Sequence, residues 1–207
     1  MGNKIVKTKI FLVRHGQTDW NIERKYQGQQ DIPLNEIGKA QALKVADRFF
    51  NEFQISAVYS SSLKRAKETA EEIAKRFQLT VQIHDGLRER NFGLLEGKKI
   101  EEVIKQYPGI HMGNIEKFGS FDIEPFHLLK SRVYLAVKEL AKRHVGESIV
   151  LVSHGAAINA LLHEVSKGKV GSGVTKLTNT GISRMIYDHQ EDQWIIEQIN
   201  DDSHVDI

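Results

Sequence analysis

The sequence predicts an α/β fold, a three-layer α/β/α sandwich with a mostly parallel sheet. Three observations predict it. Short, nearly continuous apolar runs alternate with longer stretches whose apolar residues recur at helical spacing, the pattern of buried strands interleaved with covering helices. The 207 residues, 40% hydrophobic and 27% charged, have an ordinary globular composition at a size that suits one large α/β domain. No internal repeat, low-complexity tract or linker divides the chain, so residues 1–207 read as a single domain.

The elements follow in order. "KIFLV" is the first buried strand. From Asn35 to about Phe53, Ala42, Leu43, Ala46, Phe49, Phe50 and Phe53 recur at helical spacing. "ISAVYS" is the next strand, and the serines that end it are expected to cap the following helix by accepting bonds from its first free amides. That helix, "LKRAKETAEEIAKRF", sets Leu63, Ala66, Ala70, Ile73, Ala74 and Phe77 on one face. "TVQIHD" returns as a strand. The stretch at about 98–124 mixes glycine, aromatic residues and charge without a period. It reads as a lid or specificity segment, and an irregular surface connection fits the same pattern. "FHLLKSRVYLAVKELAKRHV" is a long amphipathic helix ending near Gly146, "ESIVLVSHG" a buried strand and "AAINALLHEV" a helix. The last pair of strands is joined by the polar turn "HQED".

Composition also excludes. Cysteine is absent, which removes a structural disulfide, a zinc ribbon and a thiol nucleophile, and is compatible with a reducing cytoplasm. The start, "MGNKIVKTKIFLV", lacks the long apolar core of a signal peptide, and Val6 stands where a myristoylation pattern wants Ser or Thr. No run approaches the roughly 20 apolar residues of a membrane span. A net charge of +2 is too small to imply nucleic acid. The expectation is a cytoplasmic protein with neither a membrane nor a nucleic-acid partner.

Two strands end alike. "FLVRHG" and "VLVSHG" both close in His-Gly and a helix can follow each, and ligands of open parallel sheets gather beyond such carboxyl ends. Lying side by side, these strands would bring His15 and His154 together. Arg14 adds a planar, permanently charged fork suited to phosphate. "SSSLKRAKETA" supplies Arg65 in a first helical turn, and "GLRERNFG" supplies Glu89 between two arginines. Two Arg, two His and one acid make a cationic pocket, and its implied ligand is a phosphate or phosphate ester. Taken singly each residue has an ordinary reading: a structural histidine, Arg65 paired with Glu68, Glu89 paired with Arg88 or Arg90. The other histidines show no metal-ligand spacing and read as structural or surface residues, with His111 and His127 as possible pocket neighbours. "GKVGSGVTK" reads as a flexible loop rather than a phosphate-binding one.

"RHGQTDWN", "SSSLKRAKETA", "LRERNFGLLEG" and "VSHG", in that order and over nearly the whole chain, resemble the histidine phosphatase superfamily, the phosphoglycerate mutase-like proteins. The resemblance implies that His15 is a nucleophile forming a phosphohistidine. It implies that Arg14, Arg65 and His154 hold the phosphoryl oxygens, that Asn21 adds a neutral donor, and that Glu89 protonates the leaving oxygen and then activates water. To act as an acid Glu89 must be desolvated or sit beside the substrate's own phosphate charge. No cofactor and no metal is implied, because the arginines supply the positive charge. The expected partner is a small phosphorylated metabolite; oligomeric state is not read from the sequence.

The family holds phosphatases and mutases. Mutases of this type usually carry a longer insertion after the acidic block, which favours a phosphatase here. Arg90 pulls the other way: it stands where mutases keep an arginine for a carboxylate, unless it pairs with Glu96 or Glu101. The phosphatases' "GGES" block is replaced by "IEPFHLLKSR", which keeps the spacing from Glu124 to Arg132 but puts Pro125 where the serine would be. A phosphate-binding regulatory protein without catalysis is the third reading; an intact set of His15, Glu89, Arg14, Arg65 and His154 argues against it.

Overall fold

Six strands form one sheet in the order β3-β2-β4-β1-β5-β6. They are β1 (Lys7–Arg14), β2 (Ala57–Ser60), β3 (Val81–Ile83), β4 (Ser148–Ser153), β5 (Ile182–Asp188) and β6 (Gln193–Asp201). The helices are α1 (Asp19–Ile22), α2 (Glu36–Glu52), α3 (Lys64–Arg76), α4 (Ile100–Gln106), α5 (Phe126–Arg143) and α6 (Gly155–Val165). The computed structural model describes residues 6–111, 114–117 and 121–205. Residues 1–5 of the start read above, and 112–113 and 118–120 of the expected lid segment, lie outside the described residues.

Neighbouring strands from β3 to β1 pair in parallel, and β5 runs antiparallel to both β1 and β6. The sheet is therefore mostly parallel, as expected. Along β1 the side chains alternate between two covered faces. Ile10 and Leu12 pack with Ile149, Leu151, Leu129, Val137 and Leu161 beneath α5 and α6. Phe11 and Val13 pack with Val150, Val152, Val45, Phe49 and Ile73 beneath α2 and α3. Burial on both faces explains why these strands read as unbroken apolar runs. Each such side chain contributes roughly 1.5–3 kcal/mol on leaving water.

The chain leaves β1 toward β2 on one side and leaves β4 toward β5 on the other. The connections therefore diverge at the carboxyl ends of β1 and β4, which makes a crevice at the switch point of the sheet. The turn after β1 is pressed onto the start of α2. A Cβ at Gly38 would stand 2.0 Å from the Gln17 carbonyl oxygen, and one at Gly16 would stand 2.6 Å from that of Gly38, so both positions require glycine. Asn35 caps α2, its side chain accepting from the Gly38 amide at 2.8 Å.

One cap expectation is corrected. The serines before α3 do not cap it: Leu63 holds the cap position without a side-chain bond. Ser62 donates to Asp85 at 2.6 Å, Ser60 donates to the Ser61 carbonyl, and Ser61 turns to His154. Leu63 is buried, and the first amide of the helix, that of Lys64, donates instead to the Asp31 carboxylate at 2.7 Å. The stretch around 98–124 holds a short helix, α4, and an apolar cluster in which Tyr26, Phe92, Leu95, Val103, Ile110 and Ile115 pack together. Among the described residues no helix is long and apolar enough to cross a membrane.

Candidate active site

The carboxyl end of β1 delivers Arg14 and His15 beside the end of β4. The His15 amide donates to the Ser153 carbonyl at 3.0 Å, continuing the parallel ladder one residue beyond the strand. On its other side the His15 carbonyl accepts from Asn179 at 2.9 Å. The imidazole is thus hung from a backbone fixed on both flanks. Its Nδ1 lies 2.7 Å from the Gly16 carbonyl oxygen. A carbonyl only accepts, so Nδ1 carries the proton and Nε2 keeps its lone pair. Burial, and then the charges of Arg65 and Arg14, hold the His15 pKa well below its ordinary 6.5. The ring is neutral at physiological pH.

His154 follows β4 and holds the cap position at the start of α6, its ring centroid 5.1 Å from that of His15. Burial first, and then Arg65, hold its pKa well below 6.5 as well. Its Nε2 meets the Ser61 hydroxyl at 2.7 Å, while its buried Nδ1 has no partner among the described residues.

Arg65 is fully buried and its guanidinium donates to the carbonyls of Gln30 and Gly28, each at 2.7 Å. It does not pair with Glu68, whose carboxylate accepts from the Leu34 amide. Burial brings the Arg65 pKa down to about 10, which leaves it a cation at neutral pH. Arg14 donates to the Leu177 carbonyl at 2.5 Å. The Nε atoms of both arginines are buried without a partner among the described residues. Thr69 ties the set together: it accepts from the Gly16 amide and donates to the Arg65 carbonyl.

Glu89 is held by backbone amides and not by an arginine side chain. Its Oε1 accepts from Arg90 N at 2.8 Å and Ala157 N at 3.0 Å, and its Oε2 accepts from Ala156 N at 3.2 Å. The first turn of α6 thus positions both His154 and the acid. Arg14, His15, Asn21, Arg65 and Glu89 line one cavity of about 450 Å³. Asn21 spends its Oδ1 on the Thr18 amide and hydroxyl, an α1 cap.

Arg90 is not in this cavity and its expected partners are corrected. Buried to 2% exposure, it donates to the Glu124 carbonyl and pairs with Glu116 at 2.8 Å. Glu96 is taken by the amides of Gln29 and Phe92. The spaced pair Glu124 and Arg132 forms a two-pronged salt bridge, and Arg132 also donates to the carbonyls of Gly86, Arg88 and Glu89. Pro125 stands where a capping serine would, and Glu116 caps α5 instead, accepting from the Phe126 amide at 2.7 Å. His111 and His127 are exposed and line neither this cavity nor its neighbour. Among the described residues no group of three His, Asp or Glu side chains converges as metal ligands.

Ser61, Thr69, Leu177, Asn179 and Lys176 belong to the site yet were not among its expected residues. Thr69 had a local signal, sitting one helical turn after Arg65. The loop 176–179 had none, because only the pairing of β5 with β1 brings it to the pocket.

Residues 10–202 match the model of the histidine phosphatase superfamily (branch 1). The chain is 35% identical to the uncharacterized phosphatase PhoE of Bacillus subtilis (strain 168), over 96% of this chain and 97% of that one. It is 36% identical to the metal-independent phosphoserine phosphatase of Arabidopsis thaliana, over 96% and 83%. Among solved structures it resembles the mycobacterial glucosyl-3-phosphoglycerate phosphatase complexed with VO3, with a TM-score of 0.83, 26% identity and coverage of 93% and 98%. Proteins named probable phosphoglycerate mutases also match.

Proposed function

Because the chain belongs to the histidine phosphatase superfamily, we propose that it is a metal-independent phosphatase that hydrolyses a small phosphorylated metabolite through a phosphohistidine. One observation carries the reading. His15 is neutral, its Nδ1 is tied to the Gly16 carbonyl, and its free Nε2 belongs to a cavity that Arg14, Arg65 and Glu89 also line.

Nε2 attacks phosphorus, and the bond from phosphorus to the ester oxygen breaks. Arg14, Arg65 and His154 take up the charge that spreads over the phosphoryl oxygens. The buried, unpartnered Nε atoms of the two arginines and Nδ1 of His154 are the donors this asks for. In the neutral ring Nδ1 of His154 can donate only if Nε2 accepts, so the Ser61 hydroxyl donates a hydrogen bond to that nitrogen. Asn21 adds its amide. Glu89 gives a proton to the leaving oxygen, then takes one from water as that water attacks the phosphohistidine. The bond between phosphorus and Nε2 breaks and phosphate leaves. Ile100, at the start of α4, lines one wall of the cavity. A mutase would call on Arg90 for a carboxylate; Glu116 and the Glu124 carbonyl already engage it, which supports hydrolysis. The proposed location is the cytoplasm.

The test is phosphate release from a panel of monoesters in the presence of a chelator, with His15→Ala alongside. Release that persists in chelator and drops at least about a thousandfold in the variant is expected. Interconversion of phosphoglycerates dependent on bisphosphoglycerate, without release, would make the enzyme a mutase.

A further inference from the structure

A second cavity of about 410 Å³ adjoins the phosphate cavity, and its walls include Phe126, Leu129, Val174 and Ala156. Ala156 lines both cavities, and its amide holds Oε2 of Glu89. An ester oxygen placed beside Glu89 therefore leads its carbon chain into this second space. The cavity has two basic neighbours of opposite condition. Arg90 lines it, but its charge is already matched by Glu116 and its Nε is spent on the Glu124 carbonyl. Lys176 lines this cavity and the phosphate cavity alike, is exposed, and among the described residues makes no side-chain hydrogen bond or ion pair. The backbone on either side of it is anchored: the Thr175 carbonyl accepts from Asn159 at 3.1 Å and the Leu177 carbonyl from Arg14 at 2.5 Å. Lys176 is thus an uncommitted cation on a fixed root, at the junction of the two spaces. Arg24, also without an ion pair among the described residues, lines the phosphate cavity and not the second one.

We infer that Lys176 is the residue that selects the substrate, receiving a carboxylate carried by the alcohol half of the ester. This rests on the phosphatase reading and sharpens it: the substrate class is the phosphate monoester of a hydroxy acid, and its carboxylate is recognised by Lys176 and not by Arg90. An ammonium on a flexible stem suits a point contact at a cavity mouth, where a rigid fork is not required.

The experiment compares 3-phosphoglycerate with glycerol 3-phosphate, which differ only in replacing the carboxylate by a hydroxymethyl group. Native enzyme is expected to prefer the carboxylate ester. Lys176→Met is expected to cut that preference about tenfold, chiefly through KM, and Lys176→Arg to retain most of it. A preference unchanged in Lys176→Met overturns the inference. So does an equal fall for both esters, which would place Lys176 on the phosphoryl group. Native enzyme that releases phosphate from an aryl ester but does not favour 3-phosphoglycerate overturns this inference and leaves the phosphatase reading standing. Native enzyme that hydrolyses no ester overturns both.

Discussion

The two adjoining cavities are made from different kinds of structure. In the phosphate cavity the groups of the proposed chemistry stand at strand ends and helix starts and are fixed by backbone: His15 by the Gly16 and Ser153 carbonyls, Arg65 by those of Gln30 and Gly28, Glu89 by three amides. The second cavity is assembled from α5, α6 and the loop before β5, and its basic groups are set by side-chain pairing or left unpaired. Backbone fixation holds chemistry constant, because a side-chain substitution elsewhere leaves those bonds in place. Side-chain fixation lets specificity change, because one substitution can release or capture a charge.

Glu89→Gln attacks the first region directly and has the largest expected effect. It should slow esters with poor leaving groups by about a hundredfold or more while sparing a nitrophenyl ester. Equal slowing of both would remove Glu89 from the role of acid. Arg132→Met tests whether the second region supports the first. Arg132 grips three carbonyls of the loop that carries Glu89, so its loss should lower kcat on poor leaving groups about tenfold without forming any new contact with phosphate. Loss confined to KM would show that the clasp serves binding and not the acid.

The smallest effect is one of stability. His15 and His154 stay unprotonated when folded, while in the unfolded chain each titrates near 6.5. Below that value the unfolded state binds more protons, so stability is present above 6.5 and is lost as pH falls beneath it. Each histidine contributes a slope of up to about 1.4 kcal/mol per pH unit. Melting temperatures taken below pH 6.5 should fall less steeply for His154→Gln than for the native chain. Parallel curves would mean that His154 is protonated in the fold.

The same division governs what could be read from the sequence. Arg14, His15 and Arg65 were legible because each follows a strand that announces itself by an apolar run, and parallel strands gather their ends. His154 was legible for the same reason and packs against His15. Glu89 follows the short strand Val81–Ile83, and Asn21 was legible only through the resemblance of "RHGQTDWN" to the family's first block. Arg90 was legible as a cation but not as a partner of Glu116, which the sequence places 26 residues away. Lys176 and Asn179 carried no local signal, since sheet order and not sequence proximity brings their loop to β1. Ser61 shows local logic losing: a hydroxyl ahead of a helix is a good cap, yet a buried imidazole one strand away is the stronger claim.

The ladder that suspends His15 between Ser153 and Asn179 has one more consequence. His15, the proposed nucleophile, sits in the central part of the sheet, so no local fraying can loosen it without parting β1 from β4. Heat inactivation should therefore have no early phase of its own; activity and folded structure disappear together, and whatever protects the sheet protects the enzyme.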